Sequence, residues 1–408
     1  MERFYPSLFP RQGLSQGRRH VANAAGARYS MAAETHAGAG RAGKRRMDSR
    51  KRSVASDATA VFGLTQRQLQ TILDEIAGEK VAAFTVAVNY EVRGHRGYSA
   101  DKIIPTFSWT AKSGRTGETT VFVKWFRTAG PHEAYHYEWL ARCHAPIPRM
   151  YGSLVTPDKR EMIFLEHLDY VDAMHPFDAF LLDAEKFPKF LQAVARFNAV
   201  KAPAEYVNSL PKWKCAEALE GAQSTLESLW SHAAEGDLGD QLARLCAKHK
   251  EKLERLKALV KEVASPIDLM EAGLCHNDLS PDSTCWDPRT GEAVVIDLES
   301  VGMGPRFRDA AKYLGAPDEV LRRCLPQKEL VRHYLGEYAR AGGVDATVDQ
   351  FIAEARPLWL AGILEMMWFS LARAIDGRVD WTDDADEGKR AFREDLRSTL
   401  TALLREVE

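Results

Sequence analysis

No stretch of this 408-residue chain is apolar for long enough to cross a bilayer, so no membrane-spanning helix is expected. Cysteine is sparse. The six residues (Cys143, Cys215, Cys246, Cys275, Cys285 and Cys324) are scattered, and no two form a C-x-x-C pair. That spacing offers neither a disulfide framework nor a thiolate cage for zinc, which makes a reducing compartment, the cytoplasm, the default location. No segment repeats along the chain. Acidic residues are scarce in the first 52 positions, with three (Glu2, Glu34 and Asp48) against twelve Lys and Arg. This excess of nine positive charges leaves −11 on the remainder of a chain whose total is −2. An acidic remainder disfavours nucleic acid and favours a cationic ligand.

Residues 1–60 are rich in Gly, Ala and Ser and lack a sustained apolar period, so they are expected to form a disordered basic tail. Three functional readings stand beside plain disorder. The run KRRMDSRKR (44–52) fits a nuclear address or an RNA-touching patch, and the whole Arg-rich tail fits an organelle transit peptide. Met31 and Met47 also allow a start codon placed too far upstream.

The remainder, 45% hydrophobic and 27% charged over the whole chain, is long enough for full cores in two lobes. Order is expected from about Leu64, where TQRQLQTILDEIAG carries a capping box (Thr65 with Gln68), apolar residues at helical spacing and a stop at Gly78. Three antiparallel strands follow: VAAFTVAVNYEV, IIPTFSWTAK and TTVFVKWF. A helix is expected to open at Pro131, and two further strands flank TPDKR. From about Asp169 the pattern becomes helical, interrupted by a short β island at 284–297. The spacing therefore predicts an α+β protein with a small β lobe over 61–167 and a larger, mostly helical lobe over 168–408.

Two stretches carry chemistry. The first, PHEAYH (131–136), contains H-E-x-x-H, the spacing with which zinc peptidases place two imidazoles and a general base on one helical turn. It follows a strand that ends in Lys124, so Glu133 has a second reading as the partner of that lysine. The second stretch is GLCHNDLSPDSTCWDPRTGEAVVIDLESVGMGPRFRDAAKYLG (273–315). A hairpin in it, with TCW and AVVID as strands and DPRTGE as the turn, brings Asp278 and Asp297 to one end of a ribbon. One carboxylate there can take a proton from an attacking hydroxyl while the other holds a metal on a phosphate, the equipment of phosphoryl transfer.

His276-Asn277-Asp278, the hairpin, and Ile296-Asp297-Leu298-Glu299 resemble the H-G/N-D-x-x-x-x-N … I-D-x-E pattern of the aminoglycoside phosphotransferase and choline kinase family. APIPRMYG, MIFLEHLD and FRDAAKY extend the likeness, in order, over about residues 64–376. The resemblance implies a bilobal protein-kinase-like fold and an ATP- and Mg²⁺-dependent transfer to a hydroxyl of a small molecule. It implies Asp278 as the base, Asp297 as the Mg²⁺ ligand, His276 as a brace of the catalytic loop, and Lys124 with Glu133 as the phosphate-gripping pair. Backbone atoms around Glu166 would hold adenine. The turn Gly94-x-x-Gly97-x-Ser99 would cover the phosphates, although an ordinary hairpin turn fits those residues equally well.

The chain departs from the family pattern at Ser283, where a second metal-ligating asparagine is expected. A hydroxyl is a shorter and poorer ligand, so Asp282, Thr284, Glu299 or a water would have to compensate. The alternatives are one well-held metal, or a degenerate fold that binds a nucleotide or a partner without turnover. The zinc reading is disfavoured because Pro131 puts His132 on the opening turn, and position 142, where a third histidine would stand, is Arg. On the acceptor side, Glu365 and Trp368 stand where choline-type members meet an ammonium, but Trp359, Ile363, Met366, Met367 and Ser370 have core spacing. The acidic run DWTDDADEG (380–388) fits either a polycation site or a solvated loop. The expected partner is a small, cationic or sugar-like acceptor, with neither nucleic acid nor membrane bound by the folded body.

Overall fold

A computed structural model of the chain describes residues 53–55, 62–92, 100–130, 132–170, 180–217, 266–287 and 289–373, with isolated helical positions between 219 and 258. The loop with Gly94, Gly97 and Ser99, most of the basic tail and the acidic run 380–388 lie outside the described residues.

The first lobe is an antiparallel sheet with one helix on each face. Strand β1 (Ser53–Ala55) precedes helix α1 (Gln66–Ala77), whose start is the expected capping box and whose end is Gly78 in the left-handed conformation. Then come β2 (Val81–Val92), β3 (Ala100–Ala111), β4 (Thr116–Ala129), helix α2 (Ala134–Arg142), β5 (Met150–Val155) and β6 (Arg160–Glu166). The sheet order is β1-β2-β3-β4-β6-β5. The outermost strand corrects the expected start of order. Ser53–Ala55, assigned to the tail from sequence, pairs with Val86–Val88. An open β2 edge presents backbone groups that such a segment satisfies, whatever its side chains.

Side chains alternate across a strand, and here the alternation sorts the lobe into two cores. Val121, Val123, Met162 and Phe164 pack with Leu69, Ile72 and Leu73 of α1. Phe126, Ile163 and Leu165 point the other way, to Tyr137 and Leu140 of α2, and join the core of the second lobe. By register Lys124 and Glu161 fall on this second face, toward the cleft.

The connection between lobes is itself a strand, which the sequence pattern did not suggest. β7 (Asp169–Tyr170) pairs with β9 (Thr284–Asp287), which pairs in turn with β10 (Glu292–Val295). Helices α3 (Lys186–Asn198) and α4 (Ala204–Ser209) and strand β8 (Ala272–Cys275) lie between β7 and that hairpin in the chain. Past it, β11 (Gly302–Pro305) pairs with β8, and helices α5 (Arg308–Leu314), α6 (Gln327–Arg340) and α7 (Val348–Arg373) complete the second lobe. The backbone approaches closely at β11. A Cβ on Gly302 would stand 2.7 Å from the Pro211 carbonyl oxygen, so a side chain there has no room. Among the described residues no helix is long and apolar enough to cross a membrane.

Candidate active site

Three side chains from three elements meet in the cleft. Lys124 of β4, 5% exposed, pairs with Glu133 at the start of α2 and lies 3.0 Å from Asp297 just beyond β10. Desolvation works against its charge, but the two carboxylates outweigh it and raise its pKa, so the ammonium is retained. Glu133 is fully buried. Burial pushes its carboxyl up to about 8, with Lys124 opposing the rise and the Asp297 charge adding to it.

Glu133 caps its own helix only by position, because its side chain is turned to Lys124 and makes no capping bond. The orphan amides find Glu161 instead. One oxygen, Oε2, accepts from the N–H groups of His132 (3.0 Å), Glu133 (2.7 Å) and Ala134 (3.3 Å). A carboxylate at a helix N-terminus satisfies both the donors and the dipole. No local motif marks Glu161 for this part. The usable signal was its place in β6, on the same face as Ile163 and Leu165.

Asp278 lies on the loop after β8 and is 6% exposed. His276, completely buried, ties this loop to the other carboxylate. Its Nε2–H donates to the Ile296 carbonyl at 2.9 Å, and its Nδ1 accepts the Asp278 N–H at 3.3 Å. These two partners fix the tautomer. Asp309, on the first turn of α5, receives the N–H groups of His276 (2.7 Å) and Asn277 (3.0 Å) and the side-chain amide of Asn198 (2.8 Å). Lys312 and Tyr313 both donate to the Leu279 carbonyl at 2.9 Å. The loop is therefore gripped from α3 and α5. FRDAAKY, which holds Asp309, belongs to the family likeness, but nothing in the sequence pattern pairs Asp309 with Asn198, or Lys312 and Tyr313 with Leu279, since these partners are remote in the chain. Asn277 and Asp297 both adopt the left-handed conformation, at φ 66°. That conformation costs energy outside glycine and is tolerated best by Asn and Asp, and it recurs where geometry serves a site.

The remaining expected residues divide. Glu299 joins Glu133 and Asp297 in a group whose oxygens lie within 4.8 Å of one another. It is also 3.7 Å from the His132 ring. Ser283 turns into its own loop, where its hydroxyl donates to the Asp278 carbonyl at 2.8 Å. Thr284 does likewise toward the Pro281 carbonyl, and the Asp282 side chain lies outside the described residues. Glu166 sits at the lobe connection and meets Arg289 of the β9–β10 turn at 2.7 Å. The zinc reading finds no support, because the two histidines diverge. His132 stacks on Phe126 with ring centroids 4.3 Å apart, whereas His136 Nδ1 is 2.8 Å from the Tyr206 hydroxyl. Among the described residues the metal-competent group contains no histidine.

Glu365 corrects the acceptor reading. It is 3% exposed, and its carboxylate meets Arg308 at 3.4 Å and the Trp213 indole N–H at 3.2 Å. The cation it receives belongs to its own chain. The side chain of Trp368 lies outside the described residues.

The sequence model of the phosphotransferase enzyme family matches residues 114–346, from the turn before β4 to beyond α6. The chain belongs to this phosphotransferase family. The match takes in Lys124, Glu133, Asp278, Asp297 and Asp309 and leaves α1, β2, β3 and α7 outside. Among solved structures it is similar to an ethanolamine kinase of Plasmodium vivax (13% identity, 78% of this chain and 83% of that one, TM-score 0.45). It is also similar to the macrolide 2'-phosphotransferase MphH of Brachybacterium faecium (14%, 81% and 97%, TM-score 0.42) and to APH(2")-IIa in its complex with streptomycin and ATP (15%, 84% and 97%, TM-score 0.43). No curated protein sequence matches the chain. In this phosphotransferase a small antiparallel lobe is followed in the chain by a mostly helical one.

Proposed function

We propose that this phosphotransferase moves the γ-phosphoryl group of ATP, with Mg²⁺, to a hydroxyl of a small cationic or sugar-like acceptor. The observation that carries the reading is the arrangement around Lys124, one buried ammonium held between Glu133 and Asp297, with Asp278 tied to the same region through His276. An ammonium so placed suits nucleotide phosphates, and its carboxylate partners keep it charged and oriented.

The residues fit Mg²⁺. Glu133, Asp297 and Glu299 supply hard oxygen donors in one small volume, and Glu133 Oε2 is buried without a hydrogen-bond partner. Asp297 and Glu299 are the residues that would hold the ion, whose contribution is neutralisation of phosphate charge. Asp278 accepts the proton of the acceptor hydroxyl as the new O–P bond forms and the bond from γ-phosphorus to the β–γ bridging oxygen breaks, with ADP leaving. His276 and Asp309 keep the base in place through that exchange. The net charge of −11 beyond residue 52 favours a cationic acceptor.

The test is thermal unfolding of the full chain against rising ATP, with and without Mg²⁺, beside Asp297→Ala. Saturable stabilisation that needs Mg²⁺ and is lost in the variant supports the reading. Ser283, turned to the Asp278 carbonyl, favours a second reading in which the nucleotide is bound without turnover. Stabilisation by ATP regardless of metal would point to it, and no stabilisation at all would refute both.

A further inference from the structure

The loop that carries Asp278 is also held from the side of α7, through a chain of polar contacts that ends on Glu365. Asn277 directly precedes the base. Its side-chain N–H₂ donates to the Ser300 carbonyl at 2.9 Å, and its side-chain oxygen accepts from Arg308 at 2.7 Å. The other terminal nitrogen of Arg308 reaches Glu365 at 3.4 Å. The indole of Trp213 closes the group, with the guanidinium carbon 4.0 Å from its ring centroid and its N–H on the second Glu365 oxygen. Arg308 and Glu365 are 4% and 3% exposed. Two residues earlier Arg306 pairs with Glu354 of the same helix, so α7 grips the segment after β11 at two points three helical turns apart.

We infer that Glu365 is a positioning residue for the base, acting through Arg308 and Asn277 on the loop of Asp278. The inference rests on the phosphotransferase reading of Asp278. A buried ion pair contributes little net stability against an apolar pair of the same volume, because desolvation cancels most of the attraction. Its use here is geometric. The guanidinium is planar, and with one edge on Glu365 and its face on Trp213 it has little freedom to follow Asn277 if the loop shifts. Asn277 in turn holds the left-handed turn from which Asp278 departs. A contact made on α7 is in this way transmitted to the base, while the Glu365 carboxylate itself is turned to Arg308 and Trp213.

Two readouts test this, one of which needs no acceptor. Glu365→Gln removes the charge at nearly constant volume, and Asn277→Gly cuts the last link while keeping a residue suited to positive φ. If Glu365→Gln compromises folding, Arg308→Met with Glu365→Met replaces the buried pair by apolar side chains and is used in its place. With the full chain, hydrogen exchange over 276–279 is expected to quicken about tenfold in Glu365→Gln and in Asn277→Gly, with β4 and α6 unchanged. ATP turnover to water, with Mg²⁺ alone as the added ion, is expected to fall about tenfold at an unchanged KM for ATP. The double variant should be no slower than either single one, because both cut one chain. Wild-type exchange over 276–279 in Glu365→Gln overturns the inference, as does quickening spread evenly over the fold. So does a loss in KM alone, or single losses that multiply. A wild-type protein that neither binds nor turns over ATP defeats the phosphotransferase reading of the site instead, and the exchange data then still report whether Glu365 orders the loop.

Discussion

Replacing Glu161 should weaken both the fold and the nucleotide site, by amounts the geometry sets. One Glu161 oxygen accepts three amide N–H groups at the start of α2, where the capping position belongs to Glu133 and the Glu133 side chain is turned away to Lys124. Glutamine keeps an oxygen that can stand in the same place, so Glu161→Gln loses mainly the charge that favours a helix N-terminus, about 1 kcal/mol. Alanine leaves three buried donors without an acceptor. Each bond to a charged group contributes about 1.5–3 kcal/mol, but the three share one atom and water can enter, so roughly 3 kcal/mol is expected for Glu161→Ala. The shift per kcal/mol shrinks with chain length and is about 1–2 °C for a chain of 408 residues, so the unfolding midpoint should drop by about 1–2 °C for glutamine and by roughly 3–6 °C for alanine. The alanine variant should also bind ATP less tightly by calorimetry in Mg²⁺, since Glu133 would no longer hold Lys124 in place. The reasoning fails if Glu161→Ala unfolds and binds ATP as the wild type does, or if glutamine costs as much as alanine.

Other outcomes follow from the same geometry. Asp278→Asn should abolish phosphoryl transfer yet leave Mg²⁺-dependent stabilisation by ATP intact; loss of both together would mean that Asp278 is not the base. Ser283→Ala should lower stability by about 1 kcal/mol in urea unfolding, through its lost bond to the Asp278 carbonyl, with the Mg²⁺ requirement for ATP binding unchanged. A shifted Mg²⁺ titration would instead make Ser283 a ligand. His136 is held neutral, its pKa lowered to about 4 by burial and then by neighbouring His276. The unfolded chain takes up a proton near 6.5 that the folded chain refuses, so this contribution is complete above 6.5 and is lost as pH falls toward 4. The loss should reach about 3 kcal/mol. His136→Asn should flatten that limb of a stability-against-pH curve, and an unchanged slope would place the proton elsewhere.

What could be read from sequence was whatever is local. The capping box of Thr65 and Gln68, the hairpin around DPRTGE and the spacing of Asp278 and Asp297 depend on neighbours within a few residues, and the structure keeps them. Alternation in TTVFVKWF and REMIFLE also implied which residues face the cleft, since a strand has only two sides. That places Lys124 opposite Val123, and Glu161 beside Ile163. The family likeness followed from such short motifs in order.

Tertiary structure decided every question about which distant partner a polar group takes. Glu365 and a nearby Trp resemble an ammonium site when read along the helix, yet the cation that reaches Glu365 is Arg308, 57 residues away. Ser283 occupies a ligand's place in the sequence, but its short hydroxyl reaches only the Asp278 carbonyl. His132 and His136 keep the zinc spacing and still diverge, because one stacks on β4 and the other meets α4. A buried donor or acceptor must be satisfied by something, and linear spacing does not say by what. The sequence determined most of the elements and the two carboxylates of the site. Packing determined who holds them.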